Sequence, residues 1–152
     1  MQKINKQVEL VSETITKIAQ NLRITPIVDR VKPGLTASQL MILLILHDTK
    51  NGELSISALA KEVGVTLPSV SGVVDRLYKE KIVERIRDKN DRRLVLVRLT
   101  EKGKEITANL LKTLKNLIAK VLNNMSNDEI TNISKSVETV SRFSINLLNE
   151  TA

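Results

Sequence analysis

The stretch "LSISALAKEVGVTLPSVSGVVDRLYKEK", residues 54–81, leaves this chain few folds to choose from. Ser55 can cap a short helix whose apolar positions are Ile56, Leu59, Ala60 and Val63. Gly64 is a natural left-handed stop for it. Thr66 can cap a second helix with Pro68 in its first turn, where a missing N–H costs little. The inner stripe of that second helix is Val70, Val73 or Val74, and Leu77. Two short helices joined by a turn of about three residues that contains glycine make a helix-turn-helix.

Residues 83–99 are β-like. "VERIR" (83–87) and "LVLVRL" (94–99) are short, β-branched and separated by the polar string "DKNDRR". The pattern predicts a two-stranded hairpin with that string at its projecting tip. The charge is concentrated here. Residues 76–104 carry 11 of the 24 Lys and Arg but five of the 17 Asp and Glu, so +6 of the net +7 lies in this segment. Such a patch attracts polyanions, nucleic acid first and an anionic membrane surface second; a merely solvated face is the bland alternative. The outer face of the second helix sharpens the choice. Ser69, Ser71, Gly72, Asp75, Arg76 and Lys79 are small or polar, and small residues let a helix approach a surface closely. Serine hydroxyls can donate to bases or phosphates, and arginine can read guanine or grip phosphate.

The flanks read as helix. Ile4, Val8, Val11, Ile15, Ile18 and Leu22 form a heptad stripe over residues 4–22, with Pro26 at or just beyond its end. Thr36 and Gln39 make a capping box, with Leu35 and Leu40 as its staple, opening a helix apolar nearly all round and therefore central. His47 lies towards the end of that helix. After the hairpin, Thr100 caps a helix running to about Asn123, with Glu101 at its positive end. Ser126 and Glu129 make a second capping box, and the last helix carries Ile130, Ile133, Val137, Val140 and Leu147. Two long terminal amphipathic helices suit a helical dimer interface, with an intramolecular pair as the competing reading.

Composition closes off other classes. There is no cysteine and one histidine, which excludes disulfides, thiol chemistry and multi-histidine metal cages. No nucleophile–base pair or metal constellation is evident, so neither an enzyme nor a cofactor or metal is expected. The longest apolar run, Leu40–Leu46, is far short of the roughly 20 residues a bilayer span needs. No signal peptide is evident, and a cytoplasmic chain with no membrane partner is expected.

In order and spacing the chain resembles the MarR-type winged-helix transcription regulators over nearly its whole length. That family has a pattern like L-x-x-x-G-L-V-x-R after its recognition helix, then D-x-x-D-x-R, a short strand, and L-T-x-x-G. Here these read "LYKEKIVER" (77–85), Asp88, Asp91 and Arg93 in "DKNDRR", and "LTEKG" (99–103). The resemblance implies a mainly α fold with a small β-hairpin wing. A winged helix-turn-helix at about 35–100 would be flanked by dimerisation helices at 1–25 and 101–150, in a single domain spanning 1–152. It implies a homodimeric regulator of transcription, a repressor, binding a near-palindromic operator in double-stranded DNA. Residues 67–81 would enter the major groove, with Pro68, Ser69, Ser71, Gly72, Asp75 and Arg76 nearest the DNA and Lys79 on the same outer face. The 88–93 tip would be the wing, with Arg93 and Arg92 reaching the minor groove and Asp91 holding Arg93. Many relatives are released from DNA by a small, often aromatic, acid, so a small aromatic or anionic ligand is a further expectation; Arg23, Arg30 and His47 lie near the relevant segments. Lys81 departs from the family by standing where glycine is usual. Either it adopts a positive φ or the recognition helix ends differently. A nucleic-acid module without a regulatory role, architectural for example, is the alternative.

Overall fold

Helix starts in the computed structural model fall where capping side chains are available. The structure describes residues 2–21, 24–88 and 94–150, with side chains at 6–17, 26, 28–88 and 94–143. Helix α3 (Ala37–Asp48) begins at Thr36 with the reciprocal box: the Gln39 N–H donates to the Thr36 hydroxyl (3.3 Å), and the Thr36 N–H donates to Gln39 Oε1 (2.9 Å). Helix α4 (Ile56–Val63) begins at Ser55, whose hydroxyl accepts from the Ala58 N–H at 3.1 Å. It stops at Gly64, where φ is +73°, a conformation that only glycine adopts at little cost. Helix α5 (Leu67–Lys79) follows at once. Thr66 has N-cap backbone geometry, but its hydroxyl makes no cap bond. A cap oxygen bonds the second or third helical N–H, and proline occupies the second position here.

Two elements were not expected. Helix α2 (Ile24–Val31) follows α1 (Gln2–Asn21), so Pro26 lies in the first turn of a new short helix rather than in a linker. Strand β1 (Glu53–Ser55) adds a third strand to the expected hairpin of β2 (Val83–Arg87) and β3 (Val95–Leu99). The sheet is antiparallel in the order β1-β3-β2, with Arg98 of β3 opposite both Glu53 and Glu84. Three residues are too few to show a period of two, which is why β1 left no signature in the sequence.

The inner stripe of α5 is Val70, Val74 and Leu77, all at most 1% exposed. These residues share one core with Ile42, Leu43 and Leu46 of α3, Leu59 of α4, Ile82, Val83 and Val97. Full burial of such a side chain contributes about 1.5–3 kcal/mol, so the inner face supplies most of what holds α5 to the core. Helix α6 (Glu101–Leu122) is anchored to the end of α5. The Thr100 hydroxyl accepts from the Gly103 N–H (3.1 Å) and donates to the Lys81 carbonyl (2.7 Å), while the Thr100 N–H donates to the Ile82 carbonyl (3.0 Å). Gly103 is required by this approach: a Cβ there would lie 2.1 Å from the Ile82 oxygen.

Residues 1–112 and 113–152 are two compact units, the boundary falling within α6. In the second, α7 (Asn127–Glu150) starts with the expected capping box, Ser126 with Glu129. Its stripe residues Ile133, Val137 and Val140 are 42–63% exposed. On α1, in the first unit, Val8, Val11 and Ile15 are 55–60% exposed. Among the described residues no helix is long and apolar enough to cross a membrane.

Candidate nucleic-acid interface

With its inner face committed to the core, α5 presents the opposite face to solvent. Pro68, Ser69, Gly72, Arg76 and Lys79 lie on that side, grading from small side chains at the N-terminal end to basic ones at the C-terminal end. Gly72 stands in the middle of that face in helical conformation, and a Cβ at this position would meet nothing within 4 Å. A mid-helix glycine costs about 0.8–1 kcal/mol relative to alanine. Nothing among the described residues requires this one. Ser71 and Asp75 lie on a flank of the helix and are half-buried.

The flank is tied to the sheet. Arg85 of β2 donates from Nη2 to Asp75 Oδ1, and its guanidinium lies 5.4 Å from the centroid of the Tyr78 ring. A partly exposed pair of this kind contributes at most about 1 kcal/mol to stability, so what it supplies is geometry. On the sheet, Arg98 donates from Nε to Glu84 (2.7 Å) and from Nη1 to Glu53 (3.3 Å). Those bonds, with Glu84 the stronger partner, hold the Arg98 pKa above the ordinary guanidinium value.

These contacts sort the basic cluster that the sequence shows only in bulk. Arg85 and Arg98 are ion-paired, Lys104 bonds Glu101 (2.7 Å), and Lys102 donates to the Glu80 carbonyl (2.8 Å). Arg76, Lys79, Lys81 and Arg87 have no ion-pair partner among the described residues. Lys89, Arg92 and Arg93 lie outside the described residues, as does Asp91, so the expected hold of Asp91 on Arg93 falls there too. Nearby acids are neutralised: Asp75 by Arg85, Glu80 by Lys32 (2.8 Å), Glu84 by Arg98 and Glu101 by Lys104. Among the described residues, Arg76 and Lys79 on the outer face of α5 and Lys81 at its exit therefore have no ion-pair partner.

Lys81 closes α5 in a left-handed turn. Its φ is +58°, and the bonds from the Ile82 N–H to the Leu77 carbonyl and from the Lys81 N–H to the Tyr78 carbonyl (both 2.9 Å) close a Schellman motif. Burial of Ile82 beside Leu77 stabilises this ending, against a left-handed penalty of about 1–2 kcal/mol. The side chain is exposed near Lys79, where glycine would present no charge.

Sequence reasoning passed over Val65 and Leu67, 45% and 52% exposed at the start of α5. The signal was available, since neither fits the inner stripe. A cleft of about 730 Å³ lies elsewhere in the first unit, lined among others by His47, Glu53, Glu84, Arg98 and Lys104. His47 is exposed in the last turn of α3. Arg30 is exposed on α2, and Arg23 lies outside the described residues. No group of three or more metal-ligating side chains occurs among the described residues.

Residues 35–95, from the staple of α3 through the helix-turn-helix to the start of β3, match the model of the MarR family. They form a MarR-family domain. A curated relative of this domain is the HTH-type transcriptional repressor YetL of Bacillus subtilis, 32% identical over 96 residues, which cover 63% of this chain and 58% of YetL. The chain spans about half the length of the curated relatives it matches. Among solved structures, a MarR-family protein from Bacillus stearothermophilus superposes with a TM-score of 0.83 at 23% identity, covering 93% of this chain and 97% of that one. Streptococcus pneumoniae FabT, solved in complex with DNA, gives a TM-score of 0.77 at 25% identity, covering 91% and 98%. The fold of this chain, mainly helical with a small three-stranded antiparallel sheet, thus matches that of a MarR-family protein.

Proposed function

We propose that this chain is a sequence-specific, double-stranded-DNA-binding transcription regulator that acts as a repressor. The observation that carries the reading is the divided surface of α5: one face wholly in the core, the other small, then basic, and exposed among the described residues. Pro68, Ser69, Ser71, Gly72, Asp75, Arg76 and Lys79 are assigned to the major groove. Residues 88–93 are assigned to the neighbouring backbone and minor groove by the charge of their sequence, with Arg92 and Arg93 entering the groove and Asp91 steadying Arg93. Repression, and DNA as the partner, are favoured by likeness to YetL and to the DNA-bound FabT.

The active form is a homodimer on a near-palindrome. The exposed stripes of α1 and of α7 each favour it, because exposed apolar surface of this kind marks an association site. Two-fold symmetry sets half-sites about one helical turn apart. Phosphate neutralisation makes binding salt-dependent, with log K falling by about 0.9 per log unit of salt for each phosphate neutralised. Release by a small aromatic or anionic ligand belongs to the same reading. The cleft beside His47 has the volume of a small-molecule site.

Selection of bound sequences from random duplex DNA tests the proposal. An inverted repeat with half-site centres about 10 base pairs apart supports it. Enrichment of no sequence over the starting pool contradicts it and favours an architectural role. A panel of small aromatic acids, read by loss of binding to the selected duplex, tests the ligand.

A further inference from the structure

Asp75 is the one acid on α5, and it stands beside a face assigned to a polyanion. A carboxylate there repels phosphate, so its presence calls for a separate reason. Asp75 accepts from Arg85, and the same guanidinium stacks against Tyr78, so one turn of α5 grips Arg85 twice. Arg85 belongs to β2, where it pairs with Val97 of β3, and β2 runs directly towards the 88–93 segment. Arg87, two residues further along the same strand, has no ion-pair partner among the described residues. The root of the hairpin is thus tied to the helix by one arginine, while the next has no ion pair among the described residues.

We infer that Asp75, Arg85 and Tyr78 form a positioning unit that sets sequence discrimination, Asp75 lying at the major groove with its carboxylate engaged by Arg85 rather than by a base. The inference rests on the proposed DNA binding. A guanidinium held by a carboxylate releases no counterion from DNA, so Arg85 adds nothing to non-specific affinity. Its contribution is a fixed angle between α5 and the hairpin, so that contacts made by one are in register with contacts made by the other. A duplex that fits that angle is favoured, and a duplex that does not is denied the extra cation. Specificity defined as a difference of affinities rises when the wrong partner is weakened.

The test uses the full chain, the selected duplex and a random-sequence duplex of equal length, titrated at several salt concentrations. Asp75→Asn preserves the side-chain shape and removes the counter-charge of the arginine. Its affinity for the random duplex is expected to rise about three- to tenfold, with the slope of log K against log salt steeper by about 0.9, one more phosphate. The ratio of selected to random affinity is expected to fall about tenfold, the scale of one lost contact. Arg85→Met removes the same tie without releasing a cation. The ratio should fall by a similar factor with no steepening of the slope. Loss of folding alone would weaken both duplexes together and leave the slope unchanged, and thermal melting of each variant tracks it separately. Parental discrimination and parental salt slope in both variants would overturn the inference and leave the DNA reading intact. A parent that binds no duplex would instead overturn the DNA reading.

Discussion

Helices α5 and α7 carry apolar stripes of the same kind, yet they finish in opposite states. On α5, Val70, Val74 and Leu77 are at most 1% exposed, while on α7, Ile133, Val137 and Val140 are 42–63% exposed. The first stripe is satisfied by α3, α4 and the sheet within one chain, so the outer face of α5 is held rigidly and is free for recognition. The second stripe has apolar surface left over, which the proposed homodimer would cover. One region is finished by its own sequence; the other is left open within the described residues.

The largest expected effect strikes the finished region. Gly103→Ala puts a methyl group into the Ile82 carbonyl and should destabilise the fold by about 3 kcal/mol or more, read by chemical denaturation. A variant with parental stability would mean that α6 does not approach the end of α5 as described. The next strikes the open region. Ile133→Lys with Val137→Lys should leave the helix-turn-helix folded but raise the dimer dissociation constant at least about 100-fold, roughly 3 kcal/mol. Sedimentation equilibrium unchanged by the pair would show that α7 is not the interface.

A smaller effect separates folding from function on α5 itself. Gly72→Ala should stabilise the chain by about 0.8–1 kcal/mol, since the methyl group meets nothing, and should still weaken binding to the selected duplex. Stability and affinity rising together would show that nothing approaches that face closely. The smallest concerns the start of α7. Glu129 accepts from the Ser126 N–H, which holds its pKa below the ordinary 4.5. A depressed carboxylate stabilises the folded state above its unfolded pKa, and that contribution is lost as pH falls through the folded value. Glu129→Gln should therefore flatten the acid limb of the stability profile below pH 4.5 while leaving its shape near neutrality unchanged.

Most helix starts were legible because caps are local: Thr36 with Gln39, Ser126 with Glu129, Ser55 and Gly64 each act within a few residues. The inner stripe of α5 was legible because a period of 3.6 shows in one helix. Helix α2 was not, since eight residues with a proline in the first turn resemble a break. Strand β1 was not, since three residues show no period and its pairing with β3 spans more than 40 residues. The candidate interface divided in the same way. That residues 76–104 are basic is a matter of composition, but which cations are spent on Asp75, Glu84 and Glu53 depends on strand register and helix docking. The left-handed turn at Lys81 was signalled only as a departure from a family pattern, and burial of Ile82 explains why it is kept.

In the proposed homodimer, a rigid, self-contained reading face is duplicated by association through the open helices. Hydroxyl-radical footprinting of the full chain on the selected duplex tests it most directly. Two protected half-sites, related by symmetry and centred about one helical turn apart on the same side of the DNA, are the expected pattern. A single protected half-site at saturation, or uniform protection along the duplex, would contradict it.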